Sequence, residues 1–178
     1  MTALSFILYL PYFITRDEGG FRGFLLVARR TTLLNFLEIF ALFIFIILSF
    51  LVVYCYEHRK SITFHQVSIS AAVFLAMVVA GVILDFQLLP LLAVFILISL
   101  YGITRFKERE EIFSLLLILM GGLIILLAEL FNAADAMPWP RFNTIMKLHL
   151  EVWVFWGAAS AYGVYYIIRK SSINRNIK

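Results

Sequence analysis

The stretch LLNFLEIFALFIFIILSFLVVYCY, residues 33–56, carries a single charged side chain, Glu38, close to its start. A helix rises 1.5 Å per residue, so about 20 apolar residues cross a hydrocarbon layer about 30 Å thick. This run is longer than that. It also lacks the polar and apolar alternation of a barrel strand, so it reads as a membrane-spanning helix. Working outward, further apolar runs follow at 67–84, 88–103, 112–131 and 144–168.

Composition agrees with several spans rather than one anchor. The 178 residues are 63% hydrophobic and 15% charged, with a mean hydropathy of +0.96. Ordinary soluble domains are about 45–50% apolar, and a globule in water could not cover the difference. The expected fold is all-α, a polytopic transmembrane helix bundle of about five full spans. Residues 33–168 form its single membrane domain. Residues 1–32 precede it as a short membrane segment and a Gly- and Arg-containing loop, and residues 169–178 follow as a basic tail.

The segment 2–14 would make about 20 Å of helix, too short for a layer of about 30 Å. It reads as the end of a span from a longer or split protein, or as an interfacial piece. Only Asp85, Phe86 and Gln87 separate the second and third spans, which predicts a tight helical hairpin with Pro90 in the first turn of the second helix.

The net charge of +4 is not a nucleic-acid signal, because the Lys and Arg residues lie between spans. Nine of them (Arg59, Lys60, Arg105, Lys107, Arg109, Arg169, Lys170, Arg175 and Lys178) fall on one side of the membrane. Six (Arg16, Arg22, Arg29, Arg30, Arg141 and Lys147) fall on the other. The positive-inside rule then puts the C-terminus in the cytoplasm and the loop 132–141 outside the cell membrane. Cys55, the single cysteine, forms no internal disulfide and has no second thiol for a metal.

Charges within spans are costly and mark function by default. Here they gather at the outward side: Glu38, Asp85, Glu129, Asp135, Arg141, Lys147, His149 and Glu151. Asn143, Thr144, Lys147 and Glu151 share about 100° of one helix face. Lys147 and Glu151 are four apart and can simply pair, while His149 points elsewhere and suits an interfacial side chain. Arg16, Arg22, Arg29 and Arg30 oppose the topology bias. They call for a partner, either phosphate, which guanidinium binds through parallel donors, or Asp17, Glu18 and lipid headgroups. Gly19, Gly20 and Gly23 let that loop turn. Gly157, Ala158, Ala159, Ser160, Ala161 and Gly163 offer a small-residue packing face, and Tyr162, Tyr165 and Tyr166 read as an aromatic belt at the opposite interface.

Glu129, Asp135 and the run RFNTIMKLHLEVWVFWGAASAYG at 141–163 resemble a C-terminal signature of uncharacterised multi-pass membrane proteins of archaea and Chloroflexi labelled "YYY". The run LPYFITRDEGGFRGFLLVARRTTLLNFLEIFALFIF at 10–45 is similar to an earlier pattern of the same family. The resemblance implies kinship with C-type-fold glycosyltransferases, which take sugars from polyprenyl phosphates. It also implies an additional N-terminal membrane half, or a partner subunit, carrying an outward catalytic carboxylate. Carried over by position, Glu129 and Asp135 would be catalytic, and Arg30, Thr31, Arg141, Asn143, Thr144 and Lys147 would bind substrate or phosphate. No metal ligand set is assigned, although an acidic pair could orient a divalent cation, and the cofactor is unknown. Expected partners are membrane lipid and a polyprenyl-phosphate sugar donor, with no nucleic acid. Two other functions stay open: a non-catalytic membrane subunit that binds lipid or a partner protein, and a transporter component, which would want charges along a midplane path.

Overall fold

The computed structural model describes residues 23–59, 63–105, 108–133 and 141–175, and side chains as far as residue 169. A short strand β1 (Phe24–Leu26) is followed by helices α1 (Leu33–His58), α2 (Phe64–Ile83), α3 (Leu89–Arg105) and α4 (Arg109–Leu130). Strand β2 (Phe131–Ala133) then leads toward α5 (Phe142–Arg175). Helices α1, α2 and α4 are each long and apolar enough to cross a membrane. Helix α3, at 17 residues, makes about 25 Å and falls short of the average hydrocarbon layer. The expected short membrane segment at 2–14 lies outside the described residues.

The starts of α1 and α2 are capped by side chains, which satisfies amides that would find no water to bond in lipid. Thr32 accepts a hydrogen bond from the Asn35 amide at the start of α1. Thr63 and Gln66 form a reciprocal capping box at the start of α2. The expected hairpin between α2 and α3 is present, with Asp85 at φ 49° and Phe86 turned inward and buried. The Phe86 amide donates to the Gly81 carbonyl. A β-carbon at Gly81 would lie 3.0 Å from the Phe86 carbonyl oxygen, so the close turn depends on that glycine.

Helix α5 packs against α4 and α1, and α4 packs against α3, which carries α2 on its other side. Because lipid tails are as apolar as leucine, such helices associate through close fit rather than water exclusion. The fit is visible at Gly121, where the Trp156 indole lies flat enough that a β-carbon would sit 2.2 Å from Nε1. Trp156 Nε1 donates to the Ile118 carbonyl at 3.3 Å. Around it Phe40 and Phe95 meet the indole edge to face, with centroids 5.5 and 5.2 Å away. Helix α2 stands apart: of its residues Gly81 alone is fully buried, and Val67, Leu75, Val79 and Val82 project outward.

Three details depart from the sequence reading. Phe131 does not end a span but opens β2, which pairs antiparallel with β1 in the register Phe24↔Ala133, Leu25↔Asn132 and Leu26↔Phe131. Three residues are too few for a periodicity to be legible, and among the described residues this ribbon is the one sheet in an otherwise helical fold. Tyr166, assigned to an interfacial belt, is a core residue that packs edge to face on Phe50 at 5.2 Å. His149, assigned to the interface, is buried between α5 and α1, with its ring against Phe36 and Phe40.

Candidate functional site

The ribbon end of the bundle gathers four segments: the chain leading into α1, the α2–α3 hairpin, the end of α4, and the start of α5. Glu129 sits in the last turn of α4 with no exposed surface. A carboxylate so placed must be fully partnered, and it is. Thr31 donates to it twice, from its amide at 2.9 Å and from its hydroxyl at 2.5 Å. Arg141 Nη2 donates to Oε1 at 2.9 Å in a pair whose side chains are 0% and 10% exposed.

Arg141 also donates to the carbonyls of Ala128 and Arg29. One guanidinium thus ties the end of α4 to the segment before α1. Its backbone lies at φ 70°, in the left-handed region that costs a non-glycine residue energy. The ion pair and the carbonyl bonds supply the compensation. Below it the ribbon is closed by Val27 N–H donating to the Leu130 carbonyl at 3.0 Å. Thr144 joins from α5 by accepting the Ala133 amide at 2.9 Å.

Arg30 turns the other way. It donates to the Leu84 carbonyl and lies over the Phe86 ring, 5.0 Å from the centroid, a cation–π arrangement. Beside it the Leu33 amide, an orphan donor at the start of α1, donates to Gln87 Oε1 at 2.9 Å. Gln87 and Phe86 are thus part of the site, although the sequence reading gave them only a turn. A polar side chain in the three-residue link expected between the second and third spans was the available signal.

Of the residues singled out from sequence, Thr31, Glu129 and Arg141 converge directly, and Arg30 and Thr144 flank them. Asn143 is half-buried in the first turn of α5, while Lys147 and Glu151 lie on its exposed surface. Asp135 falls outside the described residues, as do Gly19 and Gly20. Gly23 adopts φ 112°, consistent with a turn that needs glycine. His149 adds a group with unmet capacity: its Nε2 is buried with no hydrogen-bond partner among the described residues. At this end of the bundle the Nε atoms of Arg30 and Arg141 share that state. Among the described residues no three His, Cys, Asp or Glu side chains converge to hold a metal ion.

A family of uncharacterised membrane proteins, DUF2298, matches this chain over residues 1–156. The chain belongs to that family. DUF2298 membership covers every residue of the site just described and, with the apolar helices, establishes an integral membrane protein. It agrees with the resemblance at the level of an uncharacterised membrane protein family. No curated protein and no solved structure matches the chain.

Proposed function

We propose that this DUF2298 member is part of a membrane glycosyltransferase that takes its sugar from a polyprenyl phosphate at the outer face of the cell membrane. In this reading about five helices cross the bilayer, the C-terminus is cytoplasmic, and a further membrane segment or subunit supplies an outward acidic loop. The kinship with archaeal and Chloroflexi proteins and with C-type-fold enzymes rests on the sequence resemblance. The observation that supports phosphate chemistry is the pair of guanidinium Nε donors, on Arg30 and Arg141, buried at one end of the bundle without acceptors among the described residues. The sugar-bearing donor is a phosphodiester and the departing polyprenyl phosphate a monoester, and the phosphoryl oxygens of both can accept from guanidinium donors.

The same geometry revises the division of labour. A general base needs a lone pair facing the acceptor hydroxyl, whereas the Glu129 oxygens already accept three hydrogen bonds from Thr31 and Arg141. Glu129 therefore positions Arg141, and Asp135 is the residue assigned to the acceptor. The full neutralisation of Glu129 also favours a second reading, a non-catalytic subunit that uses this end to hold lipid or a partner.

Transfer of a labelled hexose from polyprenyl phosphate, measured in membranes that hold the whole assembly, separates the two. Asp135→Asn is expected to slow transfer by about 100-fold or more while protein abundance is unchanged. Transfer at the wild-type rate in that variant would leave the subunit reading in place.

A further inference from the structure

At the end of the bundle remote from the ribbon, a groove of about 420 Å³ opens between α4 and α5. Phe113 and Leu117 form one wall, and Ala158, Tyr162 and Tyr165 form the other. Most of its surface is apolar, yet Ser114 on its floor is buried and its hydroxyl has no hydrogen-bond partner among the described residues. Ser99 and Ser160 are buried in the same state among the described residues, and of the three Ser114 is the one that lines this groove. Ser49, Ser68 and Thr104 each return their hydroxyl to a carbonyl of their own helix, the habitual solution for such residues in apolar surroundings. Ser114 does not, so its hydroxyl is free to meet whatever fills the groove.

The mouth is charged with both signs. Glu110 lines it, and Arg169 reaches it by donating to the Tyr165 hydroxyl at 3.4 Å. We propose that this groove is a binding site for a single phospholipid bearing a primary amine, independent of the ribbon-end chemistry. One hydrocarbon chain lies between Leu117 and Ala158, a polar oxygen at its head meets Ser114, the phosphate faces Arg169 and the ammonium faces Glu110. An apolar slot with a few convergent polar groups is the usual form of a ligand site, and its volume is in the usual range of about 300–1,000 Å³. Anionic lipids without an amine would leave Glu110 facing like charge, and that repulsion gives the site its preference.

Native mass spectrometry of the purified protein, titrated with phosphatidylethanolamine or phosphatidylglycerol of identical chains, tests the proposal. Phosphatidylethanolamine is expected to be retained in preference at one adduct per chain. Ala158→Leu places a larger side chain on an exposed wall of the groove without touching the core, and should reduce retention by about tenfold. Ser114→Ala should reduce it by about 2- to 10-fold. Glu110→Gln should abolish the preference between the two lipids while total binding persists. Equal retention of both lipids by the wild type, or unchanged retention in Ala158→Leu, overturns the proposal. So does a stable dimer that Ala158→Leu dissolves, since a second copy would then occupy the groove.

Discussion

Arg141 Nη2 stands 2.9 Å from Glu129 Oε1 across twelve positions of sequence, and through this pair the start of α5 is held to the end of α4. The pair is almost wholly removed from solvent, so its behaviour under substitution is asymmetric. Removing one partner leaves a buried charge, a loss of about 3–5 kcal/mol, whereas replacing both with apolar residues is often close to neutral. Glu129→Leu and Arg141→Leu are each expected to lower unfolding free energy in mixed micelles by about that amount. The double variant should recover most of it. Additive losses would show that the two residues act separately.

Packing at Trp156 gives a test that does not involve charge. Gly121→Ala drives a β-carbon to 2.2 Å from the indole nitrogen, while at neighbouring Gly122 the nearest side-chain atom is 3.5 Å away. Overpacking costs about 1–3 kcal/mol, so Gly121→Ala should unfold at lower denaturant than wild type and Gly122→Ala should not. Equal behaviour of the two would mean that α4 and α5 are less closely joined at that level.

His149 is buried against aromatic rings, and its Nε2 has no partner among the described residues. An unmet buried polar group costs about 1–3 kcal/mol. His149→Leu is therefore expected to match or exceed wild-type stability in the same unfolding measurement. A marked loss of stability would show that the imidazole has a structural partner.

Helix α2 presents almost its whole circumference outward, Leu75 included at 63% exposure. If that surface meets lipid, Leu75→Arg should cost about 2.5–3.5 kcal/mol on an insertion scale. Glycosylation mapping of α2 would then show a shift from spanning to non-spanning forms. Unaltered insertion would point to a protein partner or an aqueous cavity over this face.

The helices were legible because membrane spans announce themselves by length and composition alone; the run at 33–56 needed no tertiary context. The polar residues were harder. Glu129 and Arg141 stood out as charges near apolar runs, but their sequence positions could not tell a substrate contact from an internal ion pair, because that depends on which segment folds over them. Thr31 supplied the answer from 98 positions away. Tyr166 and His149 were misplaced for a related reason: interfacial and buried aromatic positions at the end of a span have the same composition. The β1–β2 ribbon left no trace, since three-residue strands pair through backbone groups that every sequence shares.

The claim on which the functional reading depends is that the ribbon end recognises a phosphate, and the most direct measurement compares polyprenyl phosphate with the corresponding polyprenol. Protein in nanodiscs exposed to equal amounts of both should retain the phosphate form by about tenfold or more over the alcohol, given the strength of charge-assisted hydrogen bonds. Arg30→Gln should remove much of that preference and Arg30→Lys should restore it in part. Equal retention of the two lipids by the wild-type protein would contradict the claim.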